Sequence, residues 1–187
     1  MIKVIDNVVS SIYQDRLEET FLSMEGASWR FNSHLTHESS KSGEFGFTHI
    51  LVNPNYRSEY FNYVLPLVYE ISEKSGVNVS DILLARSFLQ TPSISPYDND
   101  LFHIDMPQQH HMVFLYYVND SDGDTLISSR RYNHQSYSRE REMPVRERVT
   151  PKKGRVVVFD GDLFHAAGIP KKNVRCILNF DVSVDKK

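Results

Sequence analysis

His103 and Asp105 stand two residues apart in the stretch LFHIDMPQQHH, and another metal-binding side chain, His165, follows much later in FDGDLFHAAGIP. On an extended chain, side chains two apart share a face, so His103 and Asp105 can reach one ion while Ile104 points into the opposite layer. Two imidazoles and one carboxylate on one side of a metal leave its other positions open. That is the donor set of facial Fe(II) sites, whose open positions take a co-substrate and O2. The His-x-Asp spacing is common by itself, so the surroundings of the three residues decide. After His165 come Ala166, Ala167, Gly168 and a proline turn, and the chain then returns as the apolar run NVRCILNF carrying Arg175. A guanidinium buried there is costly unless it meets a carboxylate, which its fork matches in bidentate fashion. An acidic co-substrate would supply that carboxylate.

The elements that must position these residues are mostly strands. From Asp81 onward DILLARSFLQ, HHMVFLYYVND, DTLISS, RVVVFDGD and NVRCILNFDVSV are short β-rich runs separated by turn signals such as Asn-Asp, Asp-Gly and Lys-Lys-Gly. Two helical patterns precede them. Residues 1–9 read as a strand, and SSIYQDRLEETFLSM then places Ile12, Leu17, Phe21 and Leu22 near one helical face, with Ser10 or Ser11 as cap. RSEYFNYVLPLVYEISEKSG is a second helix that stops at Gly76, with Pro66 inside it as a candidate kink. This order predicts a mainly β (α+β) fold: a jelly roll, or double-stranded β-helix, with the N-terminal helices packed on one face of the major sheet. The expected organisation is one domain over residues 1–187, with 1–80 as strand and supporting helices and 81–187 as the jelly-roll core. Strand parity puts Arg175, Ile177 and Asn179 on the cavity face of the last strand and Cys176, Leu178 and Phe180 beneath the helices. Val113, Leu115 and Tyr117 share a face by the same counting. Residues 128–148 form the longest polar stretch and are expected to be a loop, a candidate substrate lid rich in arginine.

Read together, HID, YYVND, GDTLI, GRVVVFDGDLFHAAG and Arg175, ten residues past His165, resemble the Fe(II)/2-oxoglutarate-dependent dioxygenases, in particular the prolyl-4-hydroxylase-like superfamily. The resemblance covers about the last hundred residues, and two preceding helices are usual in that family too. It implies that His103, Asp105 and His165 bind Fe(II) and act in catalysis. It implies that Arg175 binds the far carboxylate of 2-oxoglutarate, that Tyr117 shares it, and, with parity, that Asn179 touches the co-substrate. The implied reaction is oxidative decarboxylation of 2-oxoglutarate by O2 coupled to hydroxylation of a small-molecule or peptidyl substrate. Asp122-Gly123-Asp124-Thr125 stands where many relatives have Gly-Gly-Glu-Thr, and LLARSFLQ lacks a tyrosine found there in some prolyl hydroxylases, which argues against prolyl hydroxylation. Arg86 is read as a solvent-facing arginine at a sheet edge, with contact to co-substrate or to an acidic substrate as the alternative. His110 and His111 are read as loop and strand-entry residues, His34, His37, His49 and His134 as solvated, and Cys176 as a small core residue.

Composition bounds the rest. The 187 residues are 40% hydrophobic and 24% charged, which is ordinary for a globular chain, and the net charge of -3 gives no footprint for nucleic acid. The single cysteine excludes an internal disulfide, and neither a leader nor a membrane span is legible, so a cytoplasmic protein is expected. Two other readings compete: a cupin-like metal-dependent enzyme that does not use 2-oxoglutarate, and a non-catalytic jelly-roll binding module. The oligomeric state is not legible.

Overall fold

The structure, a computed structural model, describes residues 1–33, 45–107, 110–133 and 139–185. Strands β1 (Ile2–Ile5), β2 (Arg30–Asn32), β3 (Gly46–Asn53), β4 (Tyr56–Arg57), β5 (Val79–Gln90), β6 (Met112–Tyr117), β7 (Thr125–Arg131), β8 (Val145–Val149), β9 (Val156–Asp160), β10 (Leu163–Ala167) and β11 (Arg175–Val184) accompany helices α1 (Ser11–Leu22) and α2 (Phe61–Ser75). The major sheet has the order β1-β9-β6-β11-β5-β3-β2, with β4 on β3, and the minor sheet has the order β10-β7-β8. All strand pairs are antiparallel. The expected double-stranded β-helix is what these residues build.

The helices cover one face of the major sheet, as expected. Leu17 and Phe21 of α1 and Val64, Leu67, Val68 and Ile71 of α2 pack on Phe114, Tyr116, Val156, Val158, Cys176, Leu178 and Phe180. Each fully buried aliphatic or aromatic side chain contributes about 1.5–3 kcal/mol, so this layer anchors the sheet that carries the site. The alternate residues Val113, Leu115, Tyr117, Val157, Phe159 and Ile177 face the minor sheet and meet Ile127, Val149 and Leu163. The parity read from the sequence therefore holds on β6 and β11.

Ser10 caps α1, its hydroxyl accepting from the Tyr13 amide. The buried row of that helix is Gln14, Leu17 and Phe21, whereas Ile12 is 75% exposed. Gln14 can be buried because its Nε2 donates to the Val9 carbonyl at 2.8 Å, which satisfies the amide that would otherwise need water. Helix α2 runs through Pro66 without interruption and ends on Gly76, whose φ of 73° is the left-handed C-cap conformation.

Three differences from the sequence reading affect the site. Residues 1–80 do more than support the core, since β1 and β3 pair directly with β9 and β5. That makes β5 an interior strand rather than an edge. The polar stretch 128–148 is partly sheet, with Ser128–Arg131 in β7 and Val145–Arg148 in β8. Between them, Arg141 lies 3.6 Å from the Tyr97 ring centroid and donates to the Asn99 carbonyl, while Phe102 donates to the Glu140 carbonyl. Arg130 pairs with Glu140, Arg131 with Asp160 and Asp162, and Arg148 with Asp124. His34, His37 and His134 lie outside the described residues. Among the described residues, no helix is long and apolar enough to cross a membrane.

Candidate metal centre

His103 and His165 are joined through their backbones before their side chains matter. The His103 amide donates to the His165 carbonyl at 2.9 Å, and the His165 amide donates back at 3.1 Å. Isolated bridges at Phe102 and His103, not a full strand, hold the His-x-Asp segment. The expected parity still holds, because Phe102 and Ile104 pack on Leu126, Phe164 and Ala166 while His103 and Asp105 face the cavity. Each imidazole is oriented by its Nδ1–H, which donates at 3.2 Å to a carbonyl two residues earlier, Leu101 for His103 and Leu163 for His165. That fixes the tautomer and leaves each Nε2 lone pair free for a ligand.

The two Nε2 atoms converge on one carboxylate. His165 Nε2 lies 3.4 Å from Asp105 Oδ2, and His103 Nε2 lies 3.6 Å from Asp105 Oδ1. All three ligand atoms fall within 4.8 Å of one another. Neighbouring donors on a metal with bonds of about 2.1 Å sit about 3 Å apart, so a small inward adjustment closes the set around one ion. The protonation states suit binding as well. Burial would raise the Asp105 pKa, but Arg86, then His165 and His103, hold it well below the usual carboxylate range. Burial, followed by the neighbouring His103, lowers the pKa of His165 and keeps its ring neutral. A neutral imidazole at His165 and an ionised Asp105 are the forms a divalent cation needs.

The cavity holding these atoms measures about 70 Å³ and is also lined by Phe88, Gln90, Thr125 and Arg175. Arg175 is 2% exposed, and it is the first residue of β11, directly opposite Gln90 of β5. Its Nε donates to the Gly123 carbonyl at 2.8 Å, one terminal nitrogen to Gln90 Oε1 at 3.1 Å, and the other to Thr125 Oγ1 at 2.8 Å. All three acceptors are neutral, and among the described residues no carboxylate pairs with it. Burial accordingly lowers its pKa from the ordinary arginine value. Gly123 is required at its place because a Cβ there would lie 2.7 Å from the Gly168 carbonyl oxygen and 3.0 Å from Arg175 Cδ.

Tyr117 and Asn179 both lie beside the residues with which the sequence reading grouped them. The Tyr117 hydroxyl donates to Thr125 Oγ1 at 2.8 Å, and burial pushes its pKa up to about 12. Thr125, which no spacing argument singled out, is the residue that reaches the cavity and bridges Tyr117 to Arg175. Asn179 does face the cavity, but its Nδ2 donates to Asp105 Oδ2 at 3.1 Å. Arg86 corrects the sequence reading. It lies on the interior strand β5 with its side chain 20% exposed, and it forms an ion pair and hydrogen bond with Asp105 Oδ1. A further acid, Asp181, was not read from the sequence at all. It is fully buried, 3.9 Å from Arg86 and 3.5 Å from His111 Nε2, and burial followed by the neighbouring Asp105 raises its pKa well above the usual range. His111 stands immediately before β6, as a strand-entry residue, and is buried against Gly161 and Asp181. His49 is buried too, between the Ser28 carbonyl at 2.7 Å and Ser58 Oγ at 2.8 Å. Cys176 is the buried core residue expected.

No protein-family model matches the chain, and no curated protein matches it in sequence. Solved structures do. A viral collagen prolyl hydroxylase from Paramecium bursaria Chlorella virus-1, in complex with 2-oxoglutarate, is 15% identical and superposes with a TM-score of 0.54 over 98% of this chain and 96% of its own. An oxidoreductase of the 2OG-Fe(II) oxygenase family from Burkholderia pseudomallei is 11% identical, with a TM-score of 0.66 over 97% of this chain and 85% of its own. The chain has the fold of the Fe(II)/2-oxoglutarate oxygenases. A third neighbour with this oxygenase fold is SnoN, a non-haem α-ketoglutarate-dependent epimerase from nogalamycin biosynthesis, 10% identical, with a TM-score of 0.68 over 98% of this chain and 78% of its own. One architecture thus carries hydroxylation in one neighbour and epimerisation in another, and function has to be argued from the site.

Proposed function

We propose that this protein is an Fe(II)- and 2-oxoglutarate-dependent oxygenase acting on a small-molecule or peptidyl substrate. His103, Asp105 and His165 would hold the ferrous ion, and Arg175 with Thr125 would receive the far carboxylate of 2-oxoglutarate, Tyr117 supporting Thr125 from behind. The observation that carries this reading is the buried guanidinium of Arg175, which shares a cavity with the three ligands and has only neutral acceptors. Asp100 on the cavity wall and Asp124 act on this cation only from a distance, and a bound dicarboxylate would supply the carboxylate in contact that it lacks. The cupin-like reading gives this arginine no task, and the non-catalytic reading gives none to the three metal ligands.

When bound, iron and co-substrate supply the oxidising chemistry: 2-oxoglutarate and O2 give succinate and CO2, and the remaining oxygen atom is available to the substrate. The chain's own residues orient and exclude. Backbone bonds hold the two histidines with Nε2 facing inward, Gly123 and Gln90 fix the plane of the Arg175 fork, and Phe88, Leu115 and Ile177 keep water from the cavity walls. Anaerobic addition of Fe(II) and then 2-oxoglutarate should produce a weak absorption band in the middle of the visible range, and O2 should then release succinate. Absence of the band in the wild-type protein, or an undiminished band in His103→Ala, refutes the reading.

A further inference from the structure

Asp105 is held at both oxygens by a cross-strand pair. Arg86 of β5 and Asn179 of β11 lie directly opposite each other in the register of the major sheet. Both project onto the same carboxylate: Arg86 ion-pairs with Oδ1, and Asn179 Nδ2 donates to Oδ2 at 3.1 Å. The two grips differ in charge. The guanidinium occupies Oδ1 in an ion pair, whereas the neutral amide competes more weakly for Oδ2 and leaves that oxygen the one available to an ion. Oδ2 is also the oxygen nearer a histidine nitrogen, at 3.4 Å from His165 against 3.6 Å between Oδ1 and His103. Arg86 is itself held from two other sides. Asp181, fully buried on the same face of β11, lies 3.9 Å from its terminal nitrogen, and the Phe88 ring centroid lies 5.0 Å from its guanidinium carbon.

We infer that Arg86 and Asn179 are positioning residues that make Asp105 a one-oxygen metal ligand, bound through Oδ2. The inference rests on the metal site proposed above and concerns how many positions on the ion stay open. A carboxylate that also bound through Oδ1 would occupy one more position and compete with a chelating 2-oxo acid. Arg86 prevents this by keeping Oδ1 in an ion pair. Its substitution should therefore damage co-substrate binding while sparing metal binding, because Asp105 without its clamp gains a second oxygen to offer the ion.

The test uses the full chain loaded anaerobically with Co(II), whose visible spectrum reports the number and type of ligands. Three quantities are read for the wild type, Arg86→Met and Arg86→Lys: the Co(II) dissociation constant, the Co(II) spectrum before co-substrate, and the 2-oxoglutarate dissociation constant. Arg86→Met is expected to bind Co(II) within about threefold of the wild type, to show an altered spectrum, and to bind 2-oxoglutarate at least about tenfold more weakly. Arg86→Lys keeps the charge without the fork and should fall between the two, and it carries the test if Arg86→Met does not fold. A wild-type spectrum with unchanged 2-oxoglutarate binding in the variants overturns the inference and leaves the metal site standing. Equal loss of Co(II) and 2-oxoglutarate makes Arg86 a merely structural residue and also overturns it. A wild-type protein that takes up no Co(II) overturns both this inference and the function on which it rests.

Discussion

Replacing Arg175 by methionine keeps the aliphatic stem and removes the guanidinium, which separates two roles the residue could have. In the ligand-free protein the loss is nearly balanced. Three hydrogen bonds from a charged donor disappear, each worth about 1.5–3 kcal/mol, and they are offset by release of the several kcal/mol that burying a charge with no carboxylate in contact costs. The apparent stability should therefore change by no more than about 2 kcal/mol, a small share of a typical domain's total. In the complex nothing offsets the loss. Truncating one side of a buried, hydrogen-bonded charge pair costs about 2–4 kcal/mol, which is roughly 30- to 1000-fold in the dissociation constant of 2-oxoglutarate. Metal binding should be almost untouched, because the reciprocal His103–His165 backbone bonds and the Leu101 and Leu163 carbonyls orient the ligands without Arg175. Calorimetric titration under argon, first with Fe(II) and then with 2-oxoglutarate, measures both constants on one sample. Parallel loss of the two affinities, or co-substrate binding that ignores the substitution, would refute the reasoning.

Other consequences can be checked more quickly. Thr125→Val keeps the shape but removes the oxygen that accepts from both Tyr117 and Arg175, and should weaken 2-oxoglutarate by about 1–2 kcal/mol, whereas Thr125→Ser should stay close to wild type in the same titration. Gly161→Ala would place a Cβ 2.3 Å from His111 Nε2, and the forced shift of this buried ring should cost about 1–3 kcal/mol in a urea melt. Asp122 accepts from the backbone amides of Lys171, Lys172 and Asn173, just before Arg175; burial opposes ionisation slightly, but these bonds lower its pKa. A lowered folded-state pKa means stability that is present above the unfolded value near 3.8 and lost as pH falls through the folded one. Asp122→Ala should thus lower the melting temperature at neutral pH by the equivalent of at most about 1 kcal/mol, given its exposure, and the difference should vanish in strong acid.

The parts of the site legible in the sequence are those whose neighbours in space are also neighbours in sequence or follow from strand parity. His103 and Asp105 share a face because they are two apart, and Arg175, Ile177 and Asn179 do so for the same reason. What went unread depends on which strands lie side by side. Arg86 looks like an edge arginine until β3 is found outside β5, a pairing between segments that no local pattern announces. Asp181 is one acid among many in composition, and only the register of β11 against β5 and β6 buries it beside His111 and Arg86. Thr125 was visible as part of a motif, but its role as the link between Tyr117 and Arg175 comes from the minor sheet closing over the major one. Ile12 and Gln14 were exchanged for a simpler reason: apolarity predicts burial only until an amide finds a backbone partner, here the Val9 carbonyl.

The reciprocal backbone bonds between His103 and His165 have a consequence for how such a site can be gained or lost. Those bonds use main-chain atoms that every residue except proline provides, so the two positions would meet across the cavity whatever side chains they carried. Ligand identity at this place is therefore free to drift without the architecture registering the change. A descendant that exchanged both imidazoles for other side chains of similar size would keep its cup and its helices, and would have nothing to offer an ion.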